Sequence, residues 1–199
     1  ARRFPAGGKS STHGYTVGGY AVTYMDTIDK FSFADESSTN DVGDLTATRT
    51  GPLTTMSETY GYQASASGGP TQTSICKWSY ASDGNAVAYS GVTSADSNGC
   101  LGSGCYSSTH GYVTVNSNSR KDVEKFSYAS EGNATNVGDL TVVRSEGWGQ
   151  ASSSTYGYQA GGHNGVNVID RYPFATDSNA VDVGDLTYGP GGGSAGAHY

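Results

Sequence analysis

The phrase STYGYQAGG, from Ser154 to Gly162, has three partial copies upstream: STHGYTVGG from Ser11, SETYGYQASASGG from Ser57 and SSTHGYVTV from Ser107. Repetition at a fixed period constrains the fold more than any single residue, because each copy must be one supersecondary unit that buries its apolar surface against its neighbours. The Gly-Tyr anchors are Gly14, Gly61, Gly111 and Gly157, spaced 47, 50 and 46 residues apart. A basic-aromatic anchor keeps the same period at Lys30-Phe31, Lys77-Trp78, Lys125-Phe126 and Arg171-Tyr172. A third is VGDLT, from Val42, Val137 and Val183, with YSGVT from Tyr89 in the second unit.

Each unit reads as strands. TIDKFSFA, SICKWSYA, DVEKFSYA and VIDRYPFA alternate with period two and are rich in aromatic and β-branched residues. GG pairs at 18–19, 68–69 and 161–162, and polar runs such as SDGNA, SEGNA and TDSNA, supply turns. About four short strands per unit of roughly 47 residues is the size of a β-propeller blade. The expected architecture is all-β: a single domain over residues 1–199, a propeller or propeller arc of four four-stranded blades, with a Gly-rich tail at 188–199. The 30 Gly could signal disorder, but 15 regularly placed Tyr can bury a core.

The GG turn followed by a strand and an aromatic resembles the kelch-type blade. The wording I-D-[KR]-[FY]-x-F-A-[ST]-[DE]-x-N-A-x-x-V-G-D-L-T is similar to repeats in virion structural proteins of marine bacteriophages, cyanophages among them. That resemblance spans nearly the whole chain. It implies a non-enzymatic structural or attachment role in a tail or capsid appendage, in a virion or extracellular setting, with other virion proteins or copies of the chain itself as partners. A secreted or cell-surface lectin is the alternative.

The chain starts in mid-unit and ends just after a GDLT, so the N-terminal strand is expected to complete the last blade. Asp44 is followed by Arg49 and Asp139 by Arg144, while the second unit lacks both residues. The fourth unit has Asp185 but Pro190 at the Arg position, so Arg2 or Arg3 would supply the missing cation. These Asp–Arg pairs are expected to tie adjacent strands. Cys100 and Cys105 flank LGSG and could close a small disulfide loop, and Cys76 lies in an apolar strand pattern, the setting of a buried thiol.

The chemistry-bearing residues follow the repeat. His13 and His110 stand where Tyr60 and Tyr156 stand in the other units, so the position fills space or stacks and is no catalytic base. Asp35, Asp83, Glu131 and Asp177 open turns, one per unit. No Ser-His-Asp arrangement, sialidase-type Asp box or run of acids spaced two apart stands out, so no enzyme activity, metal or cofactor is expected. A net charge of −7 gives no footprint for nucleic acid, and no apolar run reaches the roughly 18 residues of a membrane span. What remains is binding. Residues i and i+2 share a strand face, so His13 with Tyr15, Tyr60 with Tyr62, His110 with Tyr112 and Tyr156 with Tyr158 present paired rings suited to packing between blades or to stacking on a host-surface glycan. His163 and Asn164, in a loop that breaks the pattern, are further candidates.

Overall fold

The computed structural model describes residues 1–35, 38–51, 53–64, 73–93, 104–117, 120–144 and 149–189. They form sixteen strands in four antiparallel four-stranded sheets, and the only helical element among them is one 3-10 turn. Sheet 1 holds β1 (Ala6–Lys9), β2 (His13–Val17), β3 (Met25–Ser32) and β4 (Asn40–Arg49). Sheet 2 holds β5 (Leu53–Met56), β6 (Tyr60–Ala64), β7 (Ser74–Ser79) and β8 (Val87–Gly91). Sheet 3 holds β9 (Gly104–Tyr106), β10 (His110–Ser117), β11 (Arg120–Ser127) and β12 (Thr135–Asp139). Sheet 4 holds β13 (Gly149–Ser152), β14 (Tyr156–Gly162), β15 (Val166–Pro173) and β16 (Val181–Asp185). Within every sheet the strands lie in sequence order, as in a propeller blade.

One expectation is corrected. β1 pairs with β2, Ala6 opposite Val17, so the N-terminal strand opens the first sheet. The last sheet is complete without it, since β13 pairs with β14. The unit boundary therefore falls just before the short strand that precedes each Gly-Tyr, not after it.

The register explains the Gly-Tyr anchor. Gly14 lies opposite Phe31, Gly61 opposite Trp78, Gly111 opposite Phe126 and Gly157 opposite Tyr172. In each pair the aromatic ring lies across the glycine, where a Cβ would overlap it. The ring fills the space of the missing side chain, a cross-strand pairing that fixes register. The neighbouring Tyr then points to the opposite face of its sheet.

That opposite face is where sheets meet. Tyr15 stacks on Tyr80 of sheet 2 with ring centroids 5.0 Å apart, Tyr62 on Tyr128 of sheet 3 at 4.7 Å, and Tyr112 on Phe174 of sheet 4 at 4.7 Å. Each stack adds about 1 kcal/mol beyond the apolar area it buries. Three dry clusters result, one per contact between successive sheets.

A strap of hydrogen bonds closes each contact. The amide of Ala86 donates to Asp44 O, that of Ala134 to Gly91 O and that of Ala180 to Asp139 O, each at 2.8 Å. The Asp44 and Asp139 amides donate to the Asn85 and Asn179 side chains, both at 3.1 Å. Gly43 and Gly138 adopt φ of 153° and 156° beneath these turns, and a Cβ there would overlap the turn backbone. The VGD glycine and the polar turn of the next unit are thus two halves of one contact. Outside it, Lys30 pairs with Asp83, Lys77 with Glu131 and Lys125 with Asp177. The turn acids are held by the lysine of the preceding sheet.

Candidate binding face

The repeated serine phrase forms the hairpin turn at the start of every sheet. Ser10 Oγ accepts from the amides of Thr12 (3.3 Å) and His13 (3.0 Å). Ser57 does the same for Thr59 and Tyr60, Ser107 for Thr109 and His110, and Ser153 for Thr155 and Tyr156. A serine hydroxyl satisfies two turn amides that no ladder reaches, so the S-x-T-[HY] spelling is turn chemistry. The residue after each serine stays exposed: Ser11, Glu58, Ser108 and Ser154.

All four turns line one cavity of about 770 Å³. Eight of its twelve lining residues are serine or threonine, with Lys9 and Glu58 as its charged side chains and Met56 and Tyr106 as its larger nonionic ones. One loop of each sheet is therefore turned to the same space. The interior surface offers alcohol donors and acceptors, a weakly charged lining suited to a neutral polar ligand.

The paired rings stand differently from one another. Tyr60 and Tyr62 have centroids 6.4 Å apart, His110 and Tyr112 6.5 Å, and Tyr156 and Tyr158 6.5 Å. They are side by side, as the period-two pattern requires. Yet Tyr15, Tyr62 and Tyr112 are only 3%, 1% and 2% exposed. Burial pushes the Tyr62 and Tyr112 hydroxyls up to about 12. These three rings pack sheet on sheet and offer no face to a ligand. The outer members, His13, Tyr60, His110 and Tyr156, are partly exposed, and so is Tyr158. Arg171 lies over the Tyr156 ring at 4.5 Å. His13 and His110 each meet the preceding threonine hydroxyl through Nδ1 at 2.8 Å. Burial, reinforced by Lys125, holds the His110 pKa below the ordinary histidine value. His163 begins the 3-10 turn His163–Gly165 and is half-buried, while the Asn164 side chain lies outside the described residues.

The Asp–Arg pairs form with other partners than expected. Arg144 binds Asp170 of sheet 4, not Asp139, and Arg49 binds the carbonyl and hydroxyl of Ser74, not Asp44. Arg2, not Arg3, supplies the N-terminal cation, and it binds Asp29 rather than Asp185. Arg3 makes a backbone bridge to Tyr20 instead. The arginine before sheets 1, 2 and 4 thus reaches the third strand of the sheet it leads into. Asp170 also accepts from the Thr141 amide and hydroxyl, and Glu124 accepts likewise from Thr93. The GDLT threonine therefore caps the acid of the following unit, a role sequence reasoning missed although the period of both residues was visible.

Cys105 is a free thiol, fully buried, 3.1 Å from the Tyr172 hydroxyl; Cys100, the other end of the possible disulfide loop, lies outside the described residues. Burial pushes the Cys105 thiol up to about 12. Folded chain treated with iodoacetamide at pH 8 is expected to leave Cys105 unmodified, and chain unfolded in guanidinium to alkylate it. Peptide mapping by mass spectrometry reads the difference.

Among the described residues, no group of three or more His, Cys, Asp or Glu is placed to hold a metal ion, and no helix is long and apolar enough to cross a membrane. No known family model matches the chain, and no curated protein matches it.

Proposed function

We propose that the chain is a non-enzymatic structural and attachment module of a virus particle, a kelch-like propeller arc in a bacteriophage tail or capsid appendage. The observation that carries the display role is the convergence of four equivalent hairpin turns on one cavity. Three aromatic interfaces and three hydrogen-bonded straps hold those turns rigidly, so recognition needs no ordering of loops on binding. The spelling of the repeat supports the particle setting. Several copies on one particle would turn weak single contacts into firm attachment.

A glycan-binding module, secreted or on a cell surface, is the second reading, favoured by the hydroxyl-rich cavity. It rests on that cavity and on the outer rings His13, Tyr60, His110 and Tyr156, because the inner tyrosines are covered. Mass spectrometry of purified virus particles tests the first reading, with the chain expected among stoichiometric components. Its absence from particles, together with sugar binding lost in a Glu58→Lys variant that folds normally, would replace the first reading with the second.

A further inference from the structure

The interface between successive sheets is built three times, and each half of it has a recurrent composition. The leading half carries the Gly-Tyr tyrosine, an isoleucine or valine on the third strand, a lysine and the VGD strand, spelled YSG in sheet 2. The following half carries two aromatics on its third strand, an acid between the sheets, replaced by Cys76 in sheet 2, and the polar turn. Four sheets in a row leave one half of each kind unused: a leading half on sheet 4 and a following half on sheet 1.

Both unused halves are uncovered. On sheet 1, Phe33 is 51% exposed, whereas its counterparts Tyr80, Tyr128 and Phe174 stack on a tyrosine of the preceding sheet. Phe31 is half-buried, where Trp78, Phe126 and Tyr172 are buried. The Arg2–Asp29 pair keeps 18% and 22% of its side chains exposed, while the equivalent Arg144–Asp170 pair keeps none. On sheet 4, every residue of β16 is exposed. Ile169 is half-buried where Ile28, Ile75 and Val123 are buried. Arg171 has a buried Nε without a partner and takes no turn acid among the described residues. The strap is also missing: no amide of sheet 1 donates to Asp185 O among the described residues, and both Thr39 and Asp185 are exposed.

We infer that these two faces are the halves of one further interface and that copies of the chain join head to tail, sheet 4 of one against sheet 1 of the next. Tyr158 takes Phe33 as Tyr112 takes Phe174. Gly184 has a φ of 149°, close to the 153° of Gly43, and has nothing within 4 Å of where its Cβ would stand. Thr187 reaches Asp29 as Thr141 reaches Asp170. The fit is of unlike surfaces, so the contact is heterologous and extends into a ring or a filament according to the angle it sets. Within the folded chain the two faces stay apart, which is why the cover comes from a second molecule.

Light scattering across micromolar to millimolar concentration tests this with two variants. The unmodified chain is expected to grow in mass with concentration. Phe33→Asp removes only the sheet 1 face and Tyr158→Asp only the sheet 4 face, so each alone is expected to remain monomeric. Mixed, they are expected to form one capped dimer of one copy each, through the intact face of either partner. Both sites are partly exposed, and unchanged melting of the two variants excludes misfolding as the cause. A monomeric unmodified chain overturns the proposal, as does an assembly that either variant leaves intact, or a mixture that does not dimerise. A Phe33→Cys/Tyr158→Cys chain that cross-links within one molecule also overturns it, by showing that the four sheets close on themselves.

Discussion

Replacing Arg144 with Ala is expected to destabilise the chain by about 3–5 kcal/mol, the cost of leaving a buried charge without its partner. Arg144 and Asp170 have side chains with no exposure at all, and the guanidinium also donates to the carbonyls of Gly161 (2.8 Å) and Val168 (3.3 Å). Deleting it strands the Asp170 carboxylate with only the Thr141 amide and hydroxyl, and strands two carbonyls. Burial lowers the Arg144 pKa, and the Asp170 carboxylate opposes that shift. The fold contains its own control. Arg2→Ala breaks the equivalent pair with Asp29 where water already reaches both groups, and is expected to cost about 1 kcal/mol or less. Urea unfolding of the two variants reads the difference as a shift in midpoint at constant slope. Equal midpoint shifts would mean that sheets 3 and 4 do not seal this pair in solution. An Arg144→Met/Asp170→Leu double variant is expected to recover most of the loss, because two apolar groups of similar volume remove the uncompensated charge.

The second unit illustrates the same logic by omission. Cys76 stands where Asp29, Glu124 and Asp170 stand, and Arg49 turns to Ser74. The acid was replaced by a thiol, which burial tolerates, and the arginine kept a carbonyl and a hydroxyl as partners. In the third unit the acid is Glu124, one methylene longer, and Thr93 still caps it. The clasp is therefore variable in chemistry and constant in place.

The period made the four sheets legible, and the alternation of DKFSF-type stretches made their third strands legible. Local rules reach that far because strand alternation and turn residues act within a few positions. They failed where the answer lay between units. Asp44 and Arg49 are close in sequence, so they read as a pair, yet they leave the strand in directions that serve two different sheets. The N-terminal segment looked like the missing piece of the last unit because its spelling matches every unit equally. Only pairing decides that β1 belongs with β2. The rings of Tyr15 and His13 read as one aromatic platform, and the spacing is right. Their fates differ because the next sheet covers the inner ring and stops short of the outer one. The serine turns carry no signal of a shared cavity, since a space lined by one turn of each sheet is a property of four units together.

Gly111→Ala is expected to be the second large loss, about 2–3 kcal/mol, measured by urea unfolding, although it adds a single methyl to a strand. A Cβ at this position would overlap the Phe126 ring and lie 2.7 Å from the Thr55 hydroxyl. Phe126 cannot swing away: it is 2% exposed and touches Tyr62, Tyr89 and Tyr128. The ordinary benefit of alanine over glycine in a strand is therefore reversed by overpacking. The corresponding Gly14→Ala places its methyl against Phe31, whose ring is half-buried and faces no further sheet. That ring can tilt outward, so the expected loss is less than half as large. A smaller loss at Gly14 than at Gly111 would show that the glycine is required by the cover over its aromatic partner rather than by the backbone, whose register is the same at both sites. Equal losses would place the requirement in the strand itself. Phe126→Leu in the Gly111→Ala background then serves as the rescue, since a smaller side chain yields the volume that the methyl needs.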